Sequence, residues 1–134
     1  MPDTAIICLS SIPPRLPLLG PTLDSLLRQQ PAPAEVRLYL PRRYRRFPDW
    51  DGSLPAFPPR VRVLRPEVDL GPGTKILPAL RDQAGDPWLA FCDDDCRYPQ
   101  GWLQGLLAAA AAHPGCAIAA AAVEEHGKGI LVLT

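Results

Sequence analysis

The sequence predicts an α/β protein: a three-layer α/β/α sandwich built on a mostly parallel sheet. Three observations predict it. Apolar runs of strand length alternate with segments whose leucines recur every three or four positions. The eighteen prolines and ten glycines fall mostly between those runs, as loop punctuation. A length of 134 residues at 47% hydrophobic content suits one compact domain, residues 1–134, and not comfortably two.

The elements follow in order. Residues 5–9, AIICL, form a continuous apolar strand that ends at two serines and two prolines. Leu16, Leu19, Leu23, Leu26 and Leu27 then mark one face of a helix, with Pro17 and Pro21 confined to its first turn. Residues 36–40 alternate with period two and read as a strand, and 61–64 as another. After a loop over 66–73, Thr74 is placed to cap a helix carrying Ile76, Leu77, Leu80 and Ala84 inward, with Pro78 in its early turns. Residues 88–92 are a fully apolar strand. Pro99 suits the first position of a helix facing inward through Trp102, Leu103, Leu106, Leu107 and Ala110, which His113-Pro114-Gly115 stops. Residues 117–123 make a further strand, and 130–133 one more.

Formal net charge is zero, so nothing global attracts nucleic acid or an anionic membrane. No window reaches the ~18 apolar residues of a transmembrane helix, and the N-terminus lacks the basic region of a signal peptide. Cys8, Cys92 and Cys116 lie in or beside apolar runs. With Cys96 four residues beyond Cys92 and no zinc-finger spacing, the cysteines read as reduced thiols of a cytoplasmic protein, soluble or peripheral at a membrane.

The chemistry concentrates in 91-FCDDDCRYP-99, where a buried strand runs into three aspartates. Like charges ~4 to 6 Å apart repel by roughly 1 kcal/mol in water and more in a cleft, so the triplet calls for positive charge. Alternation along an extended backbone would turn Asp93 and Asp95 to one side and Asp94 to the other. Two carboxylates with phosphate oxygens and water suit Mg²⁺ or Mn²⁺. The bland alternative is a solvated acidic turn. Ser10 to Arg15 occupies a second strand end, where ligands of parallel sheets bind.

This order of motifs resembles the GT-A fold glycosyltransferases (family 2-like), which use nucleotide-diphosphate sugars on a Rossmann-like domain. A strand ending in D-x-D and followed by Tyr98-Pro99 carries the likeness. Ser11-Ile12-Pro13-Pro14-Arg15 is similar to their "S-I-P-x-R". Leu23, Leu26, Leu27 and Gln29 are similar to "T-L-x-S-L-L-x-Q", and Gly71 to Lys75 to "G-P-x-T-K". The resemblance implies metal-dependent transfer of a sugar from a nucleotide-diphosphate donor to an acceptor hydroxyl, of carbohydrate or glycolipid type. It implies that Asp93 and Asp95 hold the metal, with Asp95 the direct ligand and a catalytic group. It also implies that Ser11, Arg15, Lys75, Asp93 and Asp94 bind the donor. A glycine-rich approach and a helix N-terminus beside Lys75 would favour phosphate.

Enzymes of that family are generally longer, with a second half that supplies the acceptor site and, in inverting members, a base. Glu124, with Glu125 and His126, follows the fifth strand and is the candidate base in this chain. The alternatives are a truncated, non-catalytic sugar-nucleotide-binding or interaction domain, a nucleotidyltransferase, and a nucleic-acid module suggested by 41-PRRYRRFPDW-50. Zero net charge argues against the last, and the segment reads as a solvated or acceptor-side loop. Oligomer formation is left open.

Overall fold

The computed structural model describes residues 5–82, 87–114, 118–123 and 128–133. Strand β1 (Ala5–Ser10) leads into a 3₁₀ turn (Pro13–Leu18), helix α1 (Gly20–Leu27), and strands β2 (Glu35–Tyr39) and β3 (Val61–Leu64). A second 3₁₀ turn (Gly71–Lys75) precedes α2 (Leu77–Asp82), β4 (Trp88–Phe91), α3 (Trp102–Ala112), β5 (Ile118–Val123) and β6 (Lys128–Leu133). The strands form one sheet in the order β3-β2-β1-β4-β6-β5. The first four are parallel, while β6 runs antiparallel to both β4 and β5.

Side chains alternate across a strand, so β1 feeds two cores. Ala5, Ile7 and Leu9 join Val36, Leu38, Trp88 and Ala90 beneath Leu19, Leu23 and Leu26 of the α1 segment and Leu103, Leu106 and Ala110 of α3. Ile6 and Cys8 join Tyr39, Leu89 and Phe91 beneath Ala79 and Ile76. Helices therefore cover both faces of the sheet, giving the three layers. Each fully buried leucine contributes roughly 2 kcal/mol of transfer free energy, which makes the first core the main anchor of the site loops above it.

Four helix expectations need correction. The first helix is split: Pro17 sits inside the 3₁₀ turn, and Pro21 in the first turn of α1, where a missing N–H costs nothing. The face of α2 is rotated from the expected one, since Leu77 and Leu80 are 46% and 47% exposed while Ala79 is buried. The cause is the 3₁₀ turn before it, which advances about 120° per residue against 100° in an α-helix and so shifts the phase of the leucines. Thr74 closes that 3₁₀ turn by accepting the Leu70 N–H at 3.0 Å, and does not cap α2. Finally, α3 begins at Trp102, with Pro99 in the turn ahead of it. Ala84 and Cys116 lie outside the described residues.

Candidate functional site

Four loops meet beyond the carboxyl ends of the parallel strands, where open α/β sheets bind ligands. They enclose a cavity of about 240 Å³. The loop after β1 contributes Ser11 and Arg15, and the loop after β2 contributes Tyr44, Arg46 and Phe47. Asp69, Thr74 and Lys75 come from the segment after β3, and Asp93 and Asp94 from the turn after β4.

The three aspartates have three different environments. Asp94 is the buried one, its side chain 6% exposed. It accepts the Ser11 hydroxyl and, at 2.9 Å, the Arg15 guanidinium, while its carbonyl accepts Thr22 Oγ1 at 3.0 Å. Asp93 is paired instead with Lys75, whose ammonium reaches Asp93 Oδ1 at 3.0 Å and the Cys92 carbonyl at 3.1 Å. Asp95 turns out of the cavity into a neighbouring groove with Cys96, Arg97 and Leu18, and its Oδ2 lies 3.9 Å from Arg15 Nη1. Arg15 and Asp94 line both spaces and form the wall between them.

Asp93 and Asp95 therefore do not share one side with Asp94 on the other. Strand β4 ends at Phe91, and Asp94 and Asp95 lie in a turn, where period-two alternation no longer applies. The triplet is also neutralised in part by the chain itself. Arg15 pairs with Asp94 and reaches Asp95 at 3.9 Å, and Lys75 pairs with Asp93, so two cations meet three carboxylates and one negative charge is in excess. Lys75 stands on the 3₁₀ turn ahead of a six-residue helix, so its ammonium, rather than a helix N-terminus, supplies the positive charge there.

Residues given no part in the site from the sequence, Gln29 and Tyr98 of the quoted motifs among them, hold this turn. Thr22 binds the Asp94 carbonyl, and Ser25 Oγ accepts the Tyr98 N–H at 3.0 Å. Gln29, fully buried just beyond α1, donates to the Pro99 carbonyl at 2.8 Å and accepts the Leu103 N–H at 2.9 Å. The Tyr98 hydroxyl accepts the Asp93 N–H at 2.9 Å and donates to the Asp93 carbonyl at 3.2 Å. Burial pushes the Tyr98 phenol well above its ordinary value, so it serves as a neutral donor and acceptor.

The loop over 41–50 is no freely solvated arm. Tyr44 is buried, donates to the Ser11 carbonyl at 2.9 Å and takes Phe47 and Trp50 edge-on at 6.3 and 5.3 Å. The signal for this was present in its three interleaved aromatics. Glu124, Glu125 and His126 lie outside the described residues.

The donors present fit a hard divalent cation in part. Asp93 and Asp95 keep 29% and 30% of their side chains exposed, whereas both oxygens of Asp94 are already engaged. Among the described residues no group of three or more His, Cys, Asp or Glu could hold a metal. Mg²⁺ commonly takes one or two carboxylates and completes its shell with phosphate and water.

With the geometry in view, the class is an α/β domain on a Rossmann-like, mostly parallel sheet with an acidic turn at its mouth. The Glycosyl transferase family 2 model matches residues 14–131, and the chain belongs to that family. No curated protein matches it. No helix among the described residues is long and apolar enough to cross a membrane.

Proposed function

We propose that this chain binds a nucleotide-diphosphate sugar with Mn²⁺ or Mg²⁺ and transfers the sugar to an acceptor hydroxyl. The observation that supports this best is the convergence of Arg15, Lys75, Asp93 and Asp94 on one cavity, with Asp95 in the groove beside it. Arg15, Arg46 and Lys75 balance Asp69, Asp93 and Asp94 around the cavity, with Asp95 just outside it, so the lining has no net positive charge to offset a diphosphate. One divalent cation would supply it, so donor and metal would enter together. Asp93 would hold the cation, joined by Asp95 once its side chain swings from the neighbouring groove past the Arg15–Asp94 wall, and the cation would supply charge stabilisation for the leaving diphosphate.

The chain's own groups do the rest. Arg15 presents several donors to phosphate oxygens, and Lys75 adds a point charge. Asp94 holds Arg15 in place, and Ser11 offers its backbone at the cavity wall. Glu124 is the proposed acceptor base, and a carbohydrate or glycolipid hydroxyl the proposed acceptor. The domain spans 1–134 in this reading and works in the cytoplasm. A second reading keeps binding and drops transfer, and is favoured by the ties of Asp93 to Lys75 and of Asp94 to Ser11 and Arg15, which give these carboxylates a holding role.

Sugar-nucleotide turnover with and without Mn²⁺ tests both. Turnover that needs Mn²⁺ and is lost in Asp95→Ala establishes the enzyme. Mn²⁺-dependent uptake of UDP or GDP without turnover establishes the binding domain. Failure of every nucleotide diphosphate to bind folded protein removes both.

A further inference from the structure

Among the described residues the exposed large hydrophobics are Leu18, Val68, Leu70, Leu77 and Leu80. All but Leu18 fall within 68–80, on the segment after β3 and on α2. A methyl added at Gly73 would meet Leu70 Cβ and Leu77 Cδ1, each at 3.8 Å, so these two leucines flank the same glycine. Leu77, Leu80 and Arg81 follow at spacings of three and four and share one exposed stripe of α2. The proposed chemistry has no use for this surface. Aliphatic side chains clustered in water mark a face that meets a partner.

Arginines border it. Arg42, Arg43, Arg45 and Arg46 are all exposed on the loop after β2. That loop is tied to the approach to Leu70. The Arg42 N–H donates to the Pro66 carbonyl at 3.1 Å, and the Arg45 N–H to Asp69 Oδ2 at 3.0 Å. The acids of residues 41–46 and 66–81 are Glu67 and Asp69. Glu67 pairs with Arg42 at 3.1 Å, and Asp69 also accepts the Gly71 N–H at 2.8 Å. Zero net charge excludes a global attraction. Screening at physiological salt limits the reach of exposed charges to about 8 Å, so the local excess of arginine decides what this face attracts.

Aliphatic groups beside arginines select among partners. Leucine and valine offer no plane on which a base can stack, which argues against RNA. A second copy across a two-fold axis would bring the same arginines face to face, which argues against a dimer. An anionic bilayer satisfies both halves: the aliphatic groups bury at the headgroup boundary, and the guanidinium groups meet lipid phosphate and carboxylate. We propose that Val68, Leu70, Leu77 and Leu80, with the arginines of residues 42–46, dock this domain on an anionic membrane surface. Arg46, Asp69, Gly71 and Pro72 also line the cavity, so a docked domain carries its cavity mouth at headgroup level. Docking stands apart from sugar transfer and needs no bound donor.

Sedimentation with phosphatidylcholine vesicles, with and without phosphatidylserine, tests it on the wild type, Leu77→Gln/Leu80→Gln and Arg43→Gln/Arg45→Gln. All four side chains are exposed, so both variants are expected to keep the wild-type urea midpoint. The wild type is expected to bind only the vesicles that contain phosphatidylserine, and to be released by high salt. Losing the arginine pair should weaken that binding roughly 25-fold, about fivefold for each charge. Losing the leucine pair should weaken it roughly tenfold. Equal binding without phosphatidylserine overturns the proposal, and so does wild-type affinity in either variant. A gel shift of single-stranded RNA by protein that ignores vesicles overturns it in favour of nucleic acid. A dimer that ignores vesicles and falls apart in the leucine variant overturns it in favour of a second copy.

Discussion

Three adjacent aspartates occupy three separate environments, and their differences come from what each one touches. Asp94 is structural: removing its carboxylate leaves the Ser11 hydroxyl buried without its acceptor and frees Arg15. Arg15 is half exposed, so water screens much of that ion pair. Asp94→Ala is therefore expected to cost about 2 kcal/mol, mostly from the orphaned buried partner, read from urea unfolding. Asp95→Ala should stay within about 0.5 kcal/mol of wild type while losing Mn²⁺-dependent nucleotide uptake. The opposite pattern would exchange their roles. At this scale the sequence identified the acids and both cations. It misassigned their directions, because alternation is a property of strands and the triplet lies past the end of one. It also kept Arg15 and Lys75 for phosphate alone, whereas folding brings both onto the carboxylates first.

At the scale of elements, the acidic turn is held by a polar ladder that runs along α1 and the turn just after it. Thr22, Ser25 and Gln29 are spaced by three and four residues, so they line one helical stripe. Each contacts successive backbone groups of residues 94–103: the Asp94 carbonyl, the Tyr98 N–H, then the Pro99 carbonyl and Leu103 N–H. The motif similar to "T-L-x-S-L-L-x-Q" thus has a physical reading, leucines into the core and polar residues onto the turn. The leucine half was legible from periodicity alone. The polar half was not, because its partners lie about 70 residues away and no local pattern reveals them. Gln29→Leu keeps the volume but strands the Leu103 N–H and takes one of two donors from the Pro99 carbonyl, which keeps the Trp102 N–H at 3.0 Å. A loss of about 2 to 3 kcal/mol is expected, together with weaker nucleotide binding as the turn loosens. Gln29→Glu is expected to be destabilised too, since it replaces two N–H donors with a buried charge. Wild-type stability in Gln29→Leu would show that the ladder does not hold the turn.

Across the whole molecule, the alternation of runs was enough to predict a layered parallel sheet. The placement of β6 between β4 and β5 is a matter of long-range pairing, which local runs do not encode. The expectation of buried thiols has a consequence for pH. Cys8 and Cys92 lie on neighbouring positions of the sheet, where the Cys92 N–H meets the Cys8 carbonyl at 3.1 Å. Burial pushes Cys8 up from 9.0 to about 12 and raises Cys92 in the same direction. Burial also raises Tyr44 and Tyr98 above the ordinary phenol value. In each case the folded chain keeps a proton that the unfolded chain releases, beginning near 9.0 for the thiols. The stabilisation is complete below that pH and is lost as pH rises, by up to ~1.4 kcal/mol per pH unit for each group. Urea midpoints should be flat from about pH 7 to 8.5 and fall steeply above about pH 9. Cys8→Ala should make that fall shallower, because one of the protons has been removed from the balance. Iodoacetamide at about pH 8 should modify Cys96 in the folded protein and reach Cys8 and Cys92 only after unfolding. A midpoint that holds constant to about pH 10.5, or rapid native-state alkylation of Cys8, would mean that the second core admits water and does not seal the strands beneath the site.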